Sequence, residues 1–128
     1  MMKKSLLAVL LAFGLPLCAA HAETPSAKAG YVVYRDHCSD CHSNLPGVDR
    51  FGPTLAGVYG RKAGTAPLHR YSKAMADSHI VWNAVTLNAF LEDPRADIRG
   101  TIMPYRGLAS PTARSDVIAY LKSISPHS

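Results

Sequence analysis

Cysteine is scarce in this chain: three in 128 residues, at positions 18, 38 and 41. Small exported domains commonly reinforce a thin core with several disulfides, and Cys38 and Cys41, three positions apart, cannot build such a framework. Blocks of basic residues interleaved with aromatics are also missing, which removes nucleic acid from the expected partners. No internal repeat or low-complexity tract breaks the chain into modules. Long apolar runs are absent too. The longest, Leu6 to Leu17, falls short of the ~20 residues that span a bilayer and is interrupted by Gly14 and Pro16, so stable membrane insertion is not expected.

What that run does suit is export. Lys3 and Lys4 precede it, and Ala20-His21-Ala22 closes it with small residues where a signal peptidase reads them. We expect a signal peptide at 1–22, cut after Ala22, and one domain at 23–128. Cys18 has a leucine three positions before it, as a lipoprotein would, but Leu17 stands where a small residue is needed; Cys18 therefore leaves with the signal. Its removal takes two lysines and no acid from 14 Lys+Arg and 9 Asp+Glu, leaving a formal charge of +3. A domain of about 106 residues exposes much of its surface and builds only a modest core. Something else must fill the middle.

Gly30, Val33, Tyr34, His37 and Cys38 recur at three-to-four spacing and predict a helix over about 27–38. Gly30 within it costs up to ~1 kcal/mol against alanine unless another backbone approaches closely there, which points to a tight helix crossing. Residues 43–80, rich in Gly, Pro and Ser, show neither strand alternation nor a helical stripe, and so long a loop in a small domain must wrap something. Asn83 caps a helix running to about Glu92, which Pro94 ends through its restriction on Asp93. Ser110-Pro111 opens a last helix with Val117, Ile118, Leu121 and Ile124 as its buried stripe. The fold class is all-α.

The chemistry sits in "CSDCH", Cys38 to His42. On a helix or tight turn the two thiols and the imidazole fall at i, i+3 and i+4, on one side. A redox dithiol does not require the histidine, and structural zinc needs two more ligands at suitable spacing, which His69 and His79 do not provide. Cys-x-x-Cys-His is the attachment signature of c-type haem, the thiols adding to the vinyl groups and the imidazole meeting the iron. Export agrees with it. A large apolar ring wrapped by loops also accounts for the missing core.

With "FGPTLAGVYGRKAGTAP", "YSKAMADSHIVW", "LNAFLEDPRADIRGTIMPYRG" and "VIAYLK" in order after the pentad, the chain from about Gly30 to Leu121 resembles the class I cytochromes c, in particular the mitochondrial and bacterial c2-like members. The resemblance implies a cytochrome c fold with crossed terminal helices, a middle helix and long loops around one haem c, covalent through Cys38 and Cys41. It implies His42 and Met103 of "GTIM" as iron ligands, with Met75 packing apolar surface instead. It implies a Pro53 carbonyl turned to His42, and Arg61, Tyr71, Trp82 and Thr101 placed around the haem propionates. His69 and His79 lack a matching segment, His37 is expected to face solvent, and His127 lies in a frayed tail. Phe90 stands where many relatives have a tyrosine, and Ile102 where a lysine is common. The basic rim is thereby reduced to Arg95, Arg99 and, less centrally, Lys62 and Arg106.

The function so implied is a periplasmic one-electron carrier, a monomer and not an enzyme, shuttling between respiratory or periplasmic oxidoreductases. The alternatives are a haem subunit of a larger dehydrogenase or oxidase, and a five-coordinate haem enzyme or sensor, which requires that Met103 not bind.

Overall fold

Five helices carry the regular structure of residues 23–126, the part that the computed structural model describes. Residues 1–22, the expected signal with Cys18 and His21, and also His127, lie outside the described residues. α1 spans Ala27–His37, α2 Lys73–Ala76, α3 Ala84–Glu92, α4 Pro94–Asp97 and α5 Pro111–Ser123. Among the described residues the only strand-like pairing is an isolated bridge between Lys62 and Val81. No helix there is long and apolar enough to cross a membrane.

α1 and α5 cross where the sequence has Gly30. A Cβ at that position would lie 1.9 Å from the Asp116 carbonyl oxygen and 2.8 Å from the Tyr120 Cβ, so only glycine allows the backbones this near. The crossing is tied at its start by Asp116, whose carboxylate accepts from Ser26 N at 2.7 Å. Tyr34 and Tyr120 pack beside it with ring centroids 5.4 Å apart. Ser26 caps α1, accepting from Ala29 N at 3.2 Å, and Ser110 caps α5, with Pro111 at a position whose missing N–H is not needed. On α5 the stripe Val117, Ile118, Tyr120 and Leu121 is buried, Val117 at 1% exposure.

α3 starts from a reciprocal cap: Asn83 Oδ1 accepts from Val85 N and Thr86 N, and Thr86 Oγ1 accepts from Asn83 N. Pro94 ends α3 and also begins something. Asp93 turns extended and caps the four-residue α4, with Pro94 in its first turn. The sequence reading took Pro94 as a stop only, and missed α2, where Ser72 caps a single turn inside the long loop. That loop is pinned at intervals: Gly52 N to the Cys41 carbonyl at 2.8 Å, Leu55 N to the Ser43 carbonyl at 2.8 Å, and Trp82 N to the Arg61 carbonyl at 2.9 Å. It therefore wraps a cleft whose other walls are α3 and α5.

Candidate functional site

The pentad begins where α1 ends. Cys38 caps the helix, its N–H bonded to the Tyr34 carbonyl at 2.8 Å, and its own carbonyl then accepts from Cys41 N at 3.1 Å and His42 N at 2.9 Å. This extra turn brings Cys38, Cys41 and His42 to the lining of one cleft. The His42 ring is held from behind: Nδ1 donates to the Pro53 carbonyl at 2.7 Å. A carbonyl can only accept, so the proton sits on Nδ1 and Nε2 keeps its lone pair. Burial lowers the pKa of His42, which keeps the ring neutral, although the Pro53 bond works the other way.

Two residues that sequence reasoning missed fix this ring and turn. Gly52 precedes Pro53, and a Cβ on it would lie 2.3 Å from His42 Cε1 and 2.7 Å from Nδ1, so the loop backbone is laid flat on the imidazole. Tyr34 Oη donates to the His42 carbonyl at 2.8 Å, joining the crossing helix to the pentad. The Gly-Pro pair was the available signal for the first. A tyrosine on a helical stripe gives no hint of the second.

The cleft, partly open to solvent, is bounded by Leu55, Val58, Trp82, Leu87, Phe90 and Leu121 besides the pentad. Trp82 and Phe90 meet with ring centroids 5.1 Å apart. Met103 and Met75 both reach the cleft, Met75 the more deeply buried. Met103 rides an irregular stretch, its N–H donated to Thr101 Oγ1 at 3.4 Å. A second lobe continues the cleft outward past Pro53, His69, Arg70, Tyr71, Thr101 and Ile102. At its mouth Phe51 is 89% exposed and Ile102 69%.

Other expected residues fall at varying distance from the cleft. Tyr71 and Trp82 line it, while Tyr71 Oη also accepts from Ala66 N at 3.2 Å and burial raises its pKa. Arg61 does not line either lobe; its Nη2 donates to the Thr54 carbonyl at 3.4 Å. His37 is exposed and contributes to the cleft's edge. His69 lines the outer lobe edge-on to Tyr71, centroids 4.9 Å apart, and His79 is exposed.

The donors suit one kind of guest. Burial, with Cys41 adding to it, pushes the Cys38 thiol up to about 11, the opposite of the lowered pKa that makes a dithiol reactive in exchange. Among the described residues no three of His, Cys, Asp and Glu gather as a metal site. An apolar cleft with two thiols in one turn, a neutral imidazole with a free Nε2, and thioethers fits a flat apolar macrocycle that carries iron. Fold and site together define a class: an all-α protein that wraps a covalently attached haem.

Comparison with known proteins narrows it. The family model for cytochrome c matches residues 27–125. Cytochrome c of Euglena viridis is 41% identical over 98 residues, 77% of this chain and 96% of its own length. Cytochrome c2 iso-2 of Magnetospirillum fulvum is 46% identical over 87 residues, 68% of this chain and 91% of its own. The solved cytochrome cH from Methylobacterium extorquens superposes with a TM-score of 0.72 at 36% identity, over 77% of this chain and 98% of that one. The chain belongs to the cytochrome c family, as a c2-like class I member. It is a haem c electron carrier, and Cys38 and Cys41 stand in the spacing through which the family binds one covalent haem c.

Proposed function

We propose that the chain is exported, loses residues 1–22, and works in the periplasm as a monomeric one-electron carrier between oxidoreductases, with His42 and Met103 as the two axial ligands. When bound, haem c supplies a single-electron Fe(II)/Fe(III) couple. His42 presents a lone pair at Nε2 because Pro53 fixes its tautomer, and Gly52 leaves no room for the ring to turn. Met103 offers a weak thioether donor, which favours Fe(II), and the buried rings of Trp82 and Phe90 keep water out and favour the lower charge in the same direction. Tyr71, Trp82 and Thr101 carry donor groups at the cleft, where propionates would need them; Arg61 adds a cation behind Tyr71. Held by both His42 and Met103, the iron would offer no site to a substrate, so we read the protein as a carrier and not an enzyme.

The mouth suits a redox protein as partner. Phe51 and Ile102 form an apolar centre, and the exposed Arg50, Arg70, Arg99 and Arg106 lie in or beside the segments that frame it. Docking there is apolar first and weakly basic at the rim.

The observation that carries this reading is the pairing of a Pro53-held His42 with Met103 in one cleft. A spectrum and redox titration of the exported, haem-loaded protein test it. A far-red sulfur-to-iron band in the oxidised form is the expected result; its absence at neutral pH favours a five-coordinate enzyme or sensor. Co-purification with a dehydrogenase or oxidase would make the protein a bound subunit instead.

A further inference from the structure

The stretch that carries Met103, residues 101–110, has no regular structure. Its backbone ties are three: Thr101 N to the Ile98 carbonyl at 3.0 Å, Leu108 N to the Leu91 carbonyl at 2.7 Å, and, at its very end, Arg114 N to the Ser110 carbonyl at 3.0 Å. A loop this sparsely bonded swings easily unless its buried carbonyls find donors. They find one on α5.

Arg114 is buried, its side chain 5% exposed. Nη1 donates to the carbonyls of Leu108, at 2.7 Å, and Ala109, at 3.0 Å. Nε donates to Asn88 Oδ1 at 2.8 Å, and Nη2 to Glu92 Oε1 at 3.3 Å. Four of the five guanidinium N–H groups are thus engaged: two grip the exit of the Met103 loop and two anchor the plane to α3. Gly107 reinforces the seat. Its φ is +112°, and a Cβ there would lie 2.1 Å from the Glu92 carbonyl oxygen, so the loop backbone rests directly on the end of α3. Arg114 itself lines neither lobe of the cleft.

We infer that Arg114 is a positioning residue for the sixth iron ligand: it clamps the loop's exit to α3 and so limits how often Met103 leaves its place. The inference rests on the reading of Met103 as that ligand. A lysine could not replace it, since one ammonium cannot span two carbonyls, Asn88 and Glu92 together. An external ligand competes only with the opened form, so its apparent affinity scales with the fraction of molecules in which Met103 is off. That makes the clamp measurable.

The test titrates imidazole into the oxidised, haem-loaded full chain and follows the far-red band and the chemical unfolding midpoint. Variants are Arg114→Lys, Asn88→Ala, which removes an anchor without touching the loop's donors, and Ile118→Ala, a core truncation on the same helix that lines neither lobe. We expect Arg114→Lys to bind imidazole at least about tenfold more tightly than the parent, and Asn88→Ala to shift the same way by less. Ile118→Ala should lower the midpoint as much while leaving imidazole affinity within about twofold. The inference is overturned if Arg114→Lys binds imidazole like the parent, or if affinity simply follows stability across all three variants. If Arg114→Lys does not fold, Asn88→Ala and Glu92→Gln carry the same comparison. Met103→Ala, measured alongside, separates the two readings. If it keeps the far-red band, the ligand assignment fails and the clamp with it; if it loses the band while Arg114→Lys is parent-like, only the clamp fails.

Discussion

Gly30→Ala is the sharpest test of how this fold is held. The added methyl would lie 1.9 Å from the Asp116 carbonyl oxygen and 2.5 Å from its carbon, both backbone atoms that no rotamer change can move. Restoring ordinary contact means parting α1 and α5 by about 1.5 Å. Overpacking of this kind costs ~1–3 kcal/mol, and a rigid neighbour puts it at the upper end. Alanine returns ~1 kcal/mol through its better helix propensity, so the net loss is about 2 kcal/mol. For a domain of this size that lowers Tm by roughly 10 °C. Thermal unfolding of the haem-loaded protein by far-ultraviolet circular dichroism measures it. The displacement should also reach the site, because Tyr34 on the same helix holds the His42 carbonyl at 2.8 Å. A Tm within about 2 °C of the parent, or one raised as propensity alone requires, would refute the close crossing.

Replacing Cys38 and Cys41 together by serine should abolish covalent haem, read by haem staining after denaturing electrophoresis. Met103→Ala should lower the potential and let carbon monoxide bind the reduced form. Met75→Ala should instead keep ligation and lose ~2–5 kcal/mol of stability, seen in denaturant unfolding, since Met75 is a buried core side chain. Gly52→Ala should tilt or displace the imidazole, whose Cε1 would stand 2.3 Å from the new methyl, and electron paramagnetic resonance of the oxidised form reads that change. Oxidation by a partner should slow by less than about tenfold from low to physiological salt, because the mouth is apolar at Phe51 and Ile102; a drop of two decades or more would reveal a concentrated basic face elsewhere.

α1, α3 and α5 were legible in the sequence because each is long enough to show an apolar period and each starts at a capping residue. α2 and α4 were not, since four residues make barely one turn and leave no period to read. Asp93-Pro94 held two messages, a stop for one helix and a cap for the next, and only the first was read. In the candidate site, the pentad and "GTIM" declare themselves by local spacing. The residues that hold them, Tyr34, Gly52 and Arg114, do so through contacts that depend on where α1, the wrapping loop and α5 meet. A tyrosine stripe, a loop glycine and a helix arginine each have commoner uses, so nothing local set them apart.

The bond from Ser26 N to Asp116 spans 90 residues, and this has a consequence for how the domain is closed. Bringing such distant segments together costs on the order of 4 kcal/mol in loop-closure entropy, which the contacts of the crossing must offset. α5 also supplies Val117 and Leu121 to the cleft. Without α5 the cleft lacks a wall and α1 has no partner for its glycine face. The terminal crossing thus acts as a clasp, joining the two ends of the domain and closing one side of the cleft at the same time. A chain truncated before Pro111 would lose that wall of the cleft and the partner of Gly30 together.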